Sequence, residues 1–242
     1  MEQDRPLARL DHPRREIWLS ARTKGERRRA RACAKEPWTV EWLEGSLRPG
    51  DVFYDIGANA GAYALVAAQI CGEEGAVVAL EPAAGTFALL LDNVRINRLD
   101  DVVTALPVAV SASSGLVDLH YTSLDVAAAF HITGDRRPLY GRDVVRTERV
   151  LSFRLDDLVA QLGVPAPNHV KIDVDGTEDE VLFGGVETLG SPALRSVMIE
   201  IEDGTEERVL ELTEAAGLRL AERHRPEKRG TPAAHSYGLF VR

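Results

Sequence analysis

The chain has 242 residues, of which 45% are hydrophobic and 28% charged, and a formal net charge of −9. That balance supports a soluble α/β fold with a sizeable core and argues against a general nucleic-acid binder, which needs a basic face. No apolar run approaches the ~20 residues of a membrane span, the first residues form no signal-peptide core, and two cysteines without metal-type spacing, Cys33 and Cys71, point to a reduced cytoplasmic setting.

Charge is uneven along the chain. Residues 1–35 hold 11 Lys+Arg against 5 Asp+Glu, and the remainder 18 against 33. The run "KGERRRARACAK" reads as a helix of a basic N-terminal extension lying on the acidic body. A domain over residues 36–242 follows. "EPWTVEWLEGSL" spaces its apolar residues as a helix does, and "DVFYDI", "GAVVALEP" and "VVTALPVAV" read as buried strands. The helices "AGAYALVAAQI" and "AGTFALLLDNVRINRL" separate them. After an irregular insertion at 121–150, a candidate lid, come the helix "RLDDLVAQLG", the strand "NHVKIDVDG", the helix "TEDEVLFGGVETL", the strand "LRSVMIEIEDG" and the helix "TEERVLELTEAAG". "LRLAERHR" and "HSYGLFVR", with no helix between them, are expected to pair as an antiparallel hairpin. The order predicts a Rossmann-like, doubly wound, mostly parallel sheet with helices on both faces and that hairpin at its C-terminal end.

Between the first strand and its helix lies "YDIGANAG", residues 54–61. Ligands of open parallel sheets sit beyond the carboxyl ends of the strands, where Gly57 and Gly61 allow a tight turn and Asn59 tolerates left-handed backbone. Glu81 closes the second strand, placed to accept hydrogen bonds from ribose hydroxyls. Asp55 would repel a dinucleotide pyrophosphate, and residues 62–70 offer no cation to offset it. A ligand with an ammonium and a sulfonium suits Asp55 better, which favours S-adenosylmethionine over NAD.

"DVFYDIGANAGAY", "VVALEP", "PVAVS", "RLDDL", "VKIDVDGTEDEVLFG" and "VMIEIE" occur in this order, and together they resemble the FkbM family of S-adenosylmethionine-dependent methyltransferases over residues 36–204. The resemblance implies a Rossmann-like class I fold and methylation of hydroxyls on sugars, glycans or secondary metabolites. It implies that Asp55, Gly57, Ala58, Asn59 and Gly61 hold the methionine end. Glu81 and Pro82 would border the ribose, and Ala109, Val110 and Ser111 the adenine. Asp175 departs from the glutamate usual in the family's "K-I-D-V-E-G" motif.

Transfer to a hydroxyl needs a base or an orienting group. "KIDVDG" ends a central strand beside the glycine loop, making Asp173 the first choice for base, and a cofactor neighbour as well, with Asp175 and His131 next. Lys171, mid-strand, needs a partner, and Glu200 is the expected one. Asp173, Asp175, Glu200, Glu202 and Asp203 invite a divalent cation, yet no ligand spacing stands out, so no metal is expected. Arg136, Arg137, Arg142, Arg146 and Arg149 are candidates to clamp an anionic acceptor. The expected partner is a small hydroxyl acceptor, with no nucleic acid and no membrane and with a homodimer left open. The competing readings are an NAD-dependent oxidoreductase and a non-catalytic binding module.

Overall fold

The computed structural model describes residues 6–129, 131–134, 141–228 and 231–242. The N-terminal segment forms β1 (Leu7–Arg9), β2 (Trp18–Ser20), α1 (Lys24–Arg29) and α2 (Ala32–Lys35). The body continues with α3 (Pro37–Ser46), β3 (Val52–Ile56), α4 (Ala62–Cys71), β4 (Ala76–Leu80), α5 (Ala84–Ile96) and β5 (Val103–Leu106). A second layer holds β6 (Ala109–Val110), β7 (Gly115–Tyr121), β8 (Ile132–Thr133) and β9 (Arg146–Phe153). Then follow α6 (Leu155–Gln161), β10 (His169–Ile172), α7 (Glu178–Phe183), α8 (Val186–Gly190), β11 (Ser196–Glu202) and α9 (Glu206–Ala215). The chain closes with β12 (Arg219–His224), β13 (Glu227–Lys228), β14 (Thr231–Pro232) and β15 (His235–Val241).

The main sheet has seven strands in the order β12-β15-β11-β10-β3-β4-β5. From β11 to β5 they run parallel, and β15 runs antiparallel to both β11 and β12. Parallel strands covered on both faces bury every position, as "HVKI" and "SVMIEIE" do along their whole length. One apolar cluster, built on Leu43, Phe53, Leu65 and Leu90, fills one face. The other, built on Ile56, Leu158, Leu182 and Val209, fills the opposite face. The chain leaves β3 towards β5 and later leaves β10 towards β11. Their carboxyl ends therefore flank the switch point where ligands bind.

Four local readings need correction, each for a physical reason. The third strand "VVTALPVAV" splits into β5 and β6, which belong to different sheets, because Pro107 has no amide to continue a ladder. The helix over "TEDEVLFGGVETL" divides at Gly184-Gly185 into α7 and α8. A side chain at Gly184 would overlap the Ser111 carbonyl, and one at Gly185 would press on Leu155. The N-terminal segment is not simply helical: it opens with the antiparallel pair β1–β2. Its Leu10, Ile17, Leu19 and Cys33 join the core of the body, and Asp11 accepts hydrogen bonds from the Cys33 and Ala34 amides at 3.0 Å. The insertion is more regular than its sequence suggests, because β9 within it pairs along β7 and β6.

Candidate active site

Beyond the ends of β3, β4 and β10 lies a cavity of about 330 Å³. Gly57, Asn59, Glu81, Pro82, Ala109 and Val110 line it. So do Glu36, Asp173, Asp175, Glu200, Glu202 and Tyr237. The sequence reading thus reaches the cavity wall at most of its positions. Asp55, Ala58, Gly61 and Ser111 are not on the wall.

The loop after β3 is shaped by close approach. Gly57 has φ +81°, and a Cβ there would overlap the Asp173 carbonyl oxygen. No other residue type combines that backbone with that clearance. Asn59, at φ 50°, is in the left-handed region that its side chain tolerates. The amides of Gly57 and Ala58 donate to the Leu80 carbonyl at 3.0 and 2.9 Å, and the Asn59 amide donates to Glu81 Oε2 at 3.0 Å. The loop is therefore braced across to the end of β4 and fixes the carboxylate that stands there.

Glu81 is 6% exposed, and its Oε1 accepts from the Ala83 amide at 2.9 Å. Each oxygen keeps a further lone pair for a hydroxyl on the cavity side. Burial pushes its carboxyl up to about 7, against the pull of the Ala83 and Asn59 amides. Burial likewise raises Glu178 to about 8, against the Gly176 amide. In the unfolded chain both titrate at the ordinary glutamate value. From about pH 6.5 to 8.5 the folded protein retains protons that the unfolded chain has released, so stability falls as pH rises. His131 and His169, lowered to about 4 chiefly by burial, act in the opposite sense only below their ordinary pKa near 6.5. The ligand-free protein should therefore unfold at a lower temperature at pH 8.5 than at pH 6.5. An equal or higher midpoint at pH 8.5 would show these carboxylates already ionised in the fold.

Asp55 is 1% exposed and sealed under the loop, opposite Lys171 in the β3–β10 register. Burial raises its carboxyl to about 6 although Lys171 draws it down. Lys171 is itself 2% exposed, and its Nζ bonds Asp173 Oδ2 at 2.7 Å. This corrects the expected Lys171–Glu200 pair. Burial opposes the Lys171 charge, but Asp173, Asp55 and Glu36 overcome it and raise the ammonium. Burial also works against the Asp173 charge, but Lys171 and Lys35 hold that carboxyl well below the usual range. Glu200 goes the other way, raised by burial and by Asp173 and Asp175, while the Tyr237 hydroxyl donates to its Oε1 at 2.6 Å. Oxygens of Asp173, Asp175 and Glu200 all lie within 4.8 Å of one another.

His131 lines the cavity, but its ring packs on Tyr121 at 4.8 Å. Tyr121 packs in turn on Ala83, beside Glu81, so the structure does not bring His131 to the Asp173 carboxylate. The Ser111 hydroxyl is engaged with Glu180 at 2.7 Å. Gly61 starts α4 in left-handed geometry against Leu90. Among the candidate anion clamps, Arg149 reaches Asp118 at 3.8 Å and Arg146 pairs with Glu148; Arg136 and Arg137 lie outside the described residues.

The N-terminal segment supplies two wall residues that the sequence reading missed, Arg29 and Lys35, and the residue that opens the body, Glu36, is a third. Arg29 donates from Nη2 and Nε to the Ala127 carbonyl at 2.8 and 3.1 Å. Asn59 Nδ2 donates to the Ala128 carbonyl at 2.8 Å. Together they fix residues 127 and 128 at the cavity wall, which Ala128 lines. The basic run gave a signal of contact with the body, but nothing in its pattern separated Arg29 from its neighbours.

A switch-point pocket with a strand-end acid, beside a loop that leaves no room for a side chain at Gly57, is the arrangement in which Rossmann-like folds hold nucleoside cofactors. Residues 55–222 match the Methyltransferase FkbM domain, and the chain belongs to that family: it is an S-adenosylmethionine-dependent methyltransferase, not an NAD oxidoreductase. It is 32% identical over 181 residues to the hexuronic acid methyltransferase AglP of Haloferax volcanii, covering 74% of this chain and 67% of that protein. It is 31% identical over 183 residues to the 31-O-demethyl-FK506 methyltransferase FkbM of Streptomyces tacrolimicus, covering 65% and 67%. In fold it is similar to methyltransferase FkbM from Methylobacillus flagellatus, with a TM-score of 0.53 at 14% identity over 84% of this chain and 50% of that one.

Proposed function

We propose that this methyltransferase acts on a hydroxyl of a sugar or of a small polyhydroxylated metabolite. The observation that carries the reading is the convergence of the Asp173, Asp175 and Glu200 oxygens on the cavity wall next to Gly57. Such a wall accepts hydrogen bonds from hydroxyl groups and fixes which one faces the cofactor. The two curated relatives, one acting on a hexuronic acid and the other named for the 31-O position of FK506, support an oxygen acceptor.

When bound, S-adenosylmethionine supplies an electrophilic methyl group. The cradle fits it: Gly57 keeps the loop clear of side-chain atoms, Glu81 offers acceptors for the ribose hydroxyls, and Ala109, Val110 and Pro82 make an apolar slot for the base. Asp173, drawn down by Lys171, is a weak base, so its part is to orient the acceptor hydroxyl by accepting its hydrogen bond. The buried thiols of Cys33 and Cys71 suit a reduced cytoplasm. No helix among the described residues is long and apolar enough to cross a membrane.

Labelled S-adenosylmethionine and a panel of neutral sugars, uronates, amino sugars and polyols test the reading. Label is expected in a product that survives the mild alkali that hydrolyses methyl esters, as an ether does. Label found only in esters, in amines or in nucleic acid would overturn it.

A further inference from the structure

Glu36 caps the N-terminus of α3, yet its side chain makes no capping hydrogen bond. The side chain turns instead into the cavity wall, where the residue is 3% exposed. Lys35 Nζ holds one oxygen, Oε1, at 2.7 Å. The other, Oε2, is buried, and the Tyr63 hydroxyl beside this carboxylate spends its proton on the Ala32 carbonyl at 3.0 Å, so Oε2 is left without a geometrically sound donor among the described residues. A carboxylate oxygen withdrawn from water without a donor is costly, and that cost is recovered when a donor enters the cavity.

The topology says which donor. Neighbouring strands lie about 4.8 Å apart, and the cofactor-facing groups follow their order. Ala109 and Val110 lie beyond β5, Glu81 at the end of β4, Gly57 at the end of β3 and Asp173 at the end of β10. An adenosine whose base and ribose take the first two places directs its amino-acid tail past Gly57 towards β10. Glu36 is there: it lines the same cavity as Asp173, and Tyr63, whose hydroxyl bonds the Ala32 carbonyl of the preceding turn at 3.0 Å, carries Lys171 Nζ of β10 at 5.1 Å from its ring centre. Asp55, the acid expected to meet the methionine end, is sealed beneath the loop and off the wall.

We propose that Glu36, through Oε2, holds the α-ammonium group of the cofactor's methionine moiety, the part that the sequence reading had given to Asp55. This rests on the placement of the cofactor given above. The neighbouring Lys35 ammonium makes the wall a Lys–Glu pair, matched in charge to an amino-acid zwitterion. An ammonium has three donors and a full charge, which suits an acceptor of this kind better than a neutral hydroxyl does.

Calorimetry tests the assignment with three ligands: S-adenosylhomocysteine, its analogue lacking the α-amino group, and 5′-methylthioadenosine, which lacks the amino-acid tail. Glu36→Gln should weaken S-adenosylhomocysteine binding roughly 10–100-fold and leave 5′-methylthioadenosine within about twofold. The wild type should bind the deaminated analogue as weakly as the Glu36→Gln variant does, and the variant should no longer distinguish it from S-adenosylhomocysteine. Equal weakening of all three ligands would mean that Glu36 only shapes the wall, and the proposal fails. Unchanged S-adenosylhomocysteine binding in the variant also overturns it. Should Glu36→Gln not fold, the wild type decides: equal affinity for S-adenosylhomocysteine and its deaminated analogue rejects an ammonium site. Failure of 5′-methylthioadenosine to bind the wild type would instead count against the cofactor placement itself.

Discussion

Gly57→Val should abolish cofactor binding, with affinity for S-adenosylhomocysteine reduced by more than roughly 100-fold, while the protein still folds. Two effects coincide at this position. The backbone sits at φ +81°, a region that β-branched residues avoid, and any Cβ meets the Asp173 carbonyl at the end of β10. The Asp173 amide also bonds the Ile56 carbonyl at 3.0 Å, so the two strand ends cannot part without losing ladder geometry. The backbone strain alone costs about 1–3 kcal/mol, less than the stability of an ordinary domain, and the overlap with the Asp173 carbonyl adds to it. The damage falls on the cavity, where Gly57 and Asp173 are both on the wall. Gly57→Ala should be intermediate. Calorimetry with circular dichroism separates loss of the site from loss of the fold, and a Gly57→Val variant with wild-type affinity would refute the loop's assigned place.

The second large effect is expected at Lys171. Its ammonium is fully buried, and its 2.7 Å bond to Asp173 ties the core of the sheet to the cavity. Removing one member of a fully buried pair typically costs about 3–5 kcal/mol; Asp173 opens on the cavity with its side chain 24% exposed and also feels Lys35, so the cost here should be smaller. Lys171→Met should therefore lower stability by less than that range, and the double variant Lys171→Met/Asp173→Leu should recover part of it. Turnover should fall in Lys171→Met as well, because Asp173 loses the partner that holds it ionised and fixed. Asp173→Asn should slow turnover by roughly 10²-fold and leave the shape of the pH–rate profile unaltered, since a carboxylate held this low is ionised at every assay pH. An acidic limb present in the wild type and lost in Asp173→Asn would make Asp173 the general base after all. Full stability of Lys171→Met would show that the pair has little energetic weight.

Much of this was legible in the sequence because parallel sheets announce themselves. Buried strands read as apolar runs, and the glycine loop and Glu81 stand where such runs end. What stayed hidden depends on contacts between distant residues. Pro107 marked a break in a ladder, but only the second sheet shows that β6 pairs with β9. Asp55 ends a strand and Glu36 precedes a helix, and nothing in the sequence says that the first is buried off the cavity wall while the second lines it. The partner of Lys171 was misjudged for a related reason. The expected pairing ran across to Glu200 on β11, whereas the chain bends after Ile172 and brings Asp173 back onto the ammonium. Arg29 was invisible because its work is done on carbonyls almost a hundred residues away.

The most direct test of the account is titration of S-adenosylhomocysteine into the wild type and into Glu81→Ala, with NAD as the comparison ligand. One-to-one binding to the wild type is expected at pH 8.5, where Glu81 is ionised, weakened in Glu81→Ala by about 1.5–3 kcal/mol, the value of hydrogen bonds to a charged acceptor, and no binding of NAD. An S-adenosylhomocysteine affinity that is the same in both proteins, or tighter binding of NAD, would contradict it.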